Sequence, residues 1–94
     1  MAGKLHRNHK RWTVVFRALA NVNRLKIIEM LSKGEALHVG DIAERLGISL
    51  KATSNHLAIF KRLDVVDAHG KSGHVFYSMS PSMPEDFRAS IGLV

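Results

Sequence analysis

Residues 48–63 read "ISLKATSNHLAIFKRL". Wound at ~100° per residue, this stretch separates into two halves. Leu50, Ala52, Thr53, Leu57, Ile59, Phe60 and Leu63 cover one side. Lys51, Ser54, Asn55, Ala58 and Arg62 cover the other. An ordinary solvated face prefers Glu and Lys. This one carries small polar groups, an amide, a methyl and cations, with no acid before Asp64. The spacing predicts one helix from Ser49 to Leu63 that packs on one side and presents a compact polar stripe on the other.

The residues just before it decide the motif. In "HVGDIAERLG", Val39, Ile42, Ala43 and Leu46 repeat at i, i+3, i+4 and i+7, the signature of a short amphipathic helix. Gly47 ends it, Ile48 plugs the turn and Ser49 caps the next helix. Two short helices joined by a tight glycine-containing turn form a helix-turn-helix. Farther upstream, Trp12, Val15, Phe16 and Leu19 mark a first helix. Leu25, Ile27, Ile28 and Leu31 mark a second, with Asn21 as its N-cap and Gly34 as its stop.

Downstream the period changes. Val65–Ala68 and His74–Met79 are rich in strand formers, and "HGKSG" between them is a hairpin loop with Lys71 at its tip. Pro81 and Pro84 break the chain. "PEDFRASIGLV" gives a short last helix, with Pro84 at its first position and Phe87 and Ile91 at i, i+4. The expected fold is mainly α with a β-hairpin wing: four helices, a hairpin and a short C-terminal helix, a winged helix-turn-helix. Residues 1–10 read as a basic, flexible N-terminus and 11–94 as a single winged-helix DNA-binding domain.

Composition narrows the function. Lys and Arg outnumber Asp and Glu by 14 to 8 in 94 residues. That balance favours an anionic partner, whether nucleic acid, an acidic protein or a membrane surface. The absence of cysteine removes disulfides, thiolate metal sites and thiol redox chemistry. No apolar run approaches the ~18 residues of a membrane span, and no signal-peptide pattern follows the basic N-terminus. A soluble, cytoplasmic protein without a membrane role is expected.

A helix fits the major groove of B-DNA, where Asn bonds adenine, Lys reaches guanine acceptors, Ser takes either role and an Ala methyl meets thymine. Arg62 is placed to meet phosphate, and Lys71 on the wing to reach the minor groove or neighbouring phosphates. A polar stripe is more often just a solvated face, but here it sits in a helix-turn-helix on a basic chain. The alternative from another class is a winged-helix interaction module whose basic face binds an acidic partner. Catalysis finds no carboxylate pair, nucleophile elbow or phosphate-binding glycine loop, so no enzyme and no cofactor is expected. His6 and His9, at i, i+3, and His38 beside Asp41 have ligand-like spacing, which leaves metal binding there as an alternative; the tail position and the lone capping histidine favour the reading without a metal. His56 falls near the apolar half of its wheel and reads as half-buried, bonded to backbone or phosphate.

Taken together, "ALANVNRLKII", "VGDIAERLGIS", "SNHL" and the hairpin ending "VFYSM" resemble the ArsR family of winged-helix transcriptional regulators, over residues 16 to 80. The resemblance implies a homodimer on an operator of two-fold symmetry, usually a repressor released by an effector, here unknown. It places the recognition helix at Ser49 to Leu63, with Lys51, Ser54, Asn55 and His56 at the family's DNA contacts and the wing tip at His69 to Gly73. It places the dimer interface on the first and last helices, at Trp12, Phe16, Leu19, Phe87 and Ile91. Metal-sensing members open the third helix with a cysteine motif. The matching stretch "LHVGD" has His38 and Gly40 there, so the family's usual cysteine metal site is lacking. A second family metal site uses acids and histidines on a long last helix, whereas the tail after Pro84 is short and has no histidine.

Overall fold

The computed structural model describes residues 8–94. Residues 1–7, and His6 with them, lie outside the described residues. Among those described, the order is α1 (His9–Leu19), α2 (Val22–Leu31), β1 (Leu37–His38), α3 (Val39–Leu46), α4 (Leu50–Arg62), β2 (Val66–Lys71), β3 (His74–Met79) and α5 (Glu85–Ile91). This is the winged helix-turn-helix read from the residue pattern. Helix α1 starts earlier than expected, inside the segment assigned to a flexible terminus. The reason is local: the Asn8 side chain accepts the Arg11 backbone N–H at 3.0 Å, so His9 and Lys10 are already helical.

Asn21 caps α2 in the same way, accepting from the Arg24 backbone N–H at 3.1 Å. The helix ends at Leu31, three residues before Gly34. Between α3 and α4, Gly47 takes a φ of +70°, which lets its own N–H and that of Ile48 return to the Ala43 carbonyl at 2.9 and 3.2 Å. That tight return sets the crossing of the two helices. Ser49 then opens α4: its hydroxyl accepts from the Ala52 N–H at 3.0 Å.

The core gathers one face of each element. Val15, Ile27, Ile28, Leu31, Ile42, Leu57, Phe60, Val65 and Phe87 are all fully buried. Burying side chains of this size contributes about 1.5–3 kcal/mol each. Leu50, placed on the apolar half of its wheel, is instead exposed. Its wheel position borders Ser54, so it lies at the edge of the polar stripe.

The sheet has the order β1-β3-β2, all antiparallel. Strand β1 was not expected. Its two residues pair with Tyr77 and Phe76, and two residues carry no readable period. The wing is also longer than its sequence suggested. Instead of a five-residue loop from His69 to Gly73, β2 runs to Lys71, which pairs with His74. Ser72 and Gly73 alone make the turn, both with positive φ (55° and 79°), as a two-residue type I′ hairpin demands.

At the other end Pro84 is the cap of α5, one position before the first helical residue. The helix is clamped to α1. Arg11 Nε and Nη2 donate to the two Asp86 carboxylate oxygens at 2.6 and 3.1 Å, and the guanidinium lies 5.5 Å over the Phe87 ring. Phe87 therefore departs from its expected place at a dimer interface. It is fully buried inside the protomer and serves as the core residue that seats α5.

Candidate nucleic-acid interface

Helix α4 exposes Lys51, Ser54, Asn55, Ala58 and Arg62 together, as the wheel requires. The hydrogen bonds among the described residues occupy none of these side chains. Their donors and acceptors stay free because their wheel positions face away from the core. Ser49, also exposed, spends its hydroxyl oxygen on the cap but keeps its O–H as a donor. Thr53 is wholly buried and donates to the Ser49 carbonyl at 2.9 Å, locking the first turn of α4.

His56 departs from this group. It is half-buried, and its Nδ1 accepts a hydrogen bond from Arg24 Nε at 3.0 Å. Burial first, and then the Arg24 charge, hold its pKa below the ordinary histidine value. The physical reason is its wheel position on the packed half of α4. A neutral imidazole bonded to Arg24 ties α4 to α2.

Arg24 was missed by the sequence reading. It links three elements: Nε to His56 on α4, and Nη1 to the carbonyls of Arg17 and Ala18 at 3.4 and 3.3 Å, at the C-terminal end of α1. A signal was present in the sequence. Arg24 is a cation in the first turn of α2, where the helix dipole disfavours positive charge, so it needed a compensating reason to be there.

On the wing, register places Asp67, His69 and Lys71 on the same face as Ser78, Phe76 and His74. His69 and Lys71 are both exposed, within the strand rather than at a loop tip. The opposite face carries Val66, Tyr77 and Met79 into or against the core. His38 caps α3 without a side-chain bond. Its ring instead stands edge-on to His74 at 4.4 Å and lies 5.7 Å from Phe76. A side chain at Gly40 would meet that ring at 2.8 Å. Among the described residues, no three histidines or acids come together at a metal-binding spacing. None of the described helices is long and apolar enough to cross a membrane.

The expected dimer residues also divide. Trp12 and Phe16 stack at 5.3 Å between ring centroids, and Phe16 is 60% exposed. Leu19 and Ile91 are half-buried. Apart from Phe87, then, the set lies at or near the surface of α1 and α5.

Comparison with known proteins agrees with this fold. Residues 21–68 match the model of the bacterial regulatory protein arsR family. The chain is 38% identical over 72 residues to the transcriptional repressor SdpR of Bacillus subtilis, covering 77% of this chain and 79% of that protein. It is 36% identical over 77 residues to the transcriptional activator HlyU of Vibrio cholerae, covering 82% and 70%. The structure of reduced HlyU superposes with a TM-score of 0.78 at 33% identity, over 96% of this chain and 90% of that one. The homodimeric winged helix-turn-helix DNA-binding domain of Mb0332 from Mycobacterium bovis superposes at 0.71, with 28% identity over 89% and 74%. The chain belongs to the arsR family of bacterial regulatory proteins.

Proposed function

We propose that this protein is a sequence-specific double-stranded DNA-binding regulator, an ArsR-like dimeric repressor without catalytic activity, working in the cytoplasm. The observation that carries the reading is the α4 stripe: a run of exposed, unpartnered polar groups and cations on a helix that contains no acid. Lys51, Ser54, Asn55 and Ala58 read base edges in the major groove. Ser49, Arg62, His69 and Lys71 anchor to phosphates and fix the register. His56, tied to Arg24, holds the helix in place.

The dimer forms through the α1 face of Trp12, Phe16 and Leu19 together with Ile91 of α5. Phe16 is the exposed anchor of that surface. A two-fold pair of α4 helices then meets successive major grooves about 34–36 Å apart. Repression follows from occupying the operator, by likeness to the transcriptional repressor SdpR.

The test is fluorescence anisotropy on the duplex upstream of the protein's own gene, beside a scrambled duplex, across salt concentrations. The expected result is a preference for the native duplex that persists at physiological salt. Equal and steeply salt-dependent binding to both would reduce the stripe to a basic surface. No binding at low salt would overturn the DNA reading in favour of an acidic protein partner.

A further inference from the structure

A groove of about 290 Å³ runs between α1, α2 and α4, lined by Val14, Arg17, Ala18, Arg24, Ile59 and Leu63. That is near the lower end of small-molecule sites, which begin at about 300 Å³. Its floor is aliphatic, and two guanidiniums stand at it. Arg11–Asp86 is the one ion pair among the described residues, so no carboxylate neutralises either Arg17 or Arg24. Arg24 uses Nε and Nη1 in its three hydrogen bonds, which leaves Nη2 for a ligand. Arg17 is exposed, and no hydrogen bond or ion pair among the described residues engages its side chain.

Position adds a second argument. On α1, Val14, Arg17 and Ala18 face away from Trp12, Phe16 and Leu19, so a dimer through the latter face leaves the groove open. On α4, Ile59 lies beside Asn55 around the wheel, so the groove borders the polar stripe. Arg24 is also bonded directly to His56 of that helix.

We propose that this groove is an effector site for a small amphipathic carboxylate. The hydrocarbon lies along Val14, Ala18, Ile59 and Leu63, and the carboxylate bridges Arg17 and Arg24, whose planar forks suit it. Occupancy draws Arg24 toward the ligand and away from His56, and sets a negative charge beside a face that meets phosphate. Both effects weaken operator binding. The regulatory half rests on the DNA reading above, whereas occupancy does not.

The probe is octanoate, titrated into methyl-labelled protein and followed by NMR, with octanol as the uncharged control. The expected result is saturable shifts of the Val14, Ile59 and Leu63 methyls, with octanol at least about tenfold weaker and Arg17→Ala weakening octanoate by a similar factor. Arg17 makes no side-chain contact that the fold needs, and an unchanged amide spectrum checks that the variant is folded. No saturable shift, equal binding of octanol, or indifference to Arg17→Ala each overturns the site. With octanoate bound, operator affinity is expected to fall in the wild type and to hold in Arg17→Ala. Methyl shifts without a loss of affinity would overturn the effector role. A chain that binds no duplex at all fails the DNA reading instead, and the methyl shifts alone then decide occupancy.

Discussion

The α4 stripe and the α1–α5 corner both depend on charged groups, and they treat them in opposite ways. At the corner, Arg11 meets Asp86 through two hydrogen bonds, with Asp86 only 8% exposed and the guanidinium lying over a buried ring. Along α4, Lys51, Asn55 and Arg62 are exposed, with no side-chain partner among the described residues. A paired, half-buried charge holds two helices together, whereas an unpaired one keeps its bonding capacity for a second molecule. His56 sits on α4 but is half-buried and neutral, and its Nδ1 is already bonded to Arg24.

That contrast can be broken in order of expected effect. Phe87→Ala at the corner should cost about 3–5 kcal/mol of stability, read as a lower urea midpoint. A change near zero would mean that α5 is not part of the frame. Asn55→Ala on the stripe should cost about 1–3 kcal/mol of operator affinity and relax specificity at one base pair. Its melting temperature should stay put; a drop there with affinity intact would invert the comparison.

Asp86→Asn keeps the corner's shape and removes its charge, for about 1–2 kcal/mol because Arg11 is partly solvated. Hydrogen bonding from Arg11, acting against burial, holds the Asp86 carboxyl below its usual pKa. Its stabilisation is therefore present above about pH 4 and is lost as pH falls through the lower folded value. The gap between wild type and variant in acid unfolding should close in that range. For His56 the folded pKa is also depressed, so the unfolded chain takes up the proton first. Stability should fall as pH drops below about 6.5, and His56→Gln should flatten that slope. The smallest effect belongs to Lys71→Ala on the wing. It should weaken all duplexes alike and reduce the salt slope by about 0.9; a sequence-dependent loss would move Lys71 from phosphate to base contact.

Much of this was legible because periodic patterns encode burial. Helix α4, its cap at Ser49, the Gly47 turn and the stripe all follow from local chemistry and a 3.6-residue repeat. The wing's existence was readable from its strand formers. Its length was not, because a Ser-Gly turn with both φ positive looks in sequence like part of a longer loop. Strand β1 has too few residues to show any pattern.

The linear pattern sets which face of each helix is apolar, where the helices start and stop, and that the α4 stripe carries no acid, since each depends on neighbours within a turn or two. Other features depend on residues far apart in the chain. Arg11 finds Asp86 75 positions away and Arg24 finds His56 32 positions away. Phe87 turns inward because α1 covers it, and a groove opens where α1, α2 and α4 do not quite close. Such pairings belong to packing, because a side chain's partner is chosen by which elements come to lie side by side.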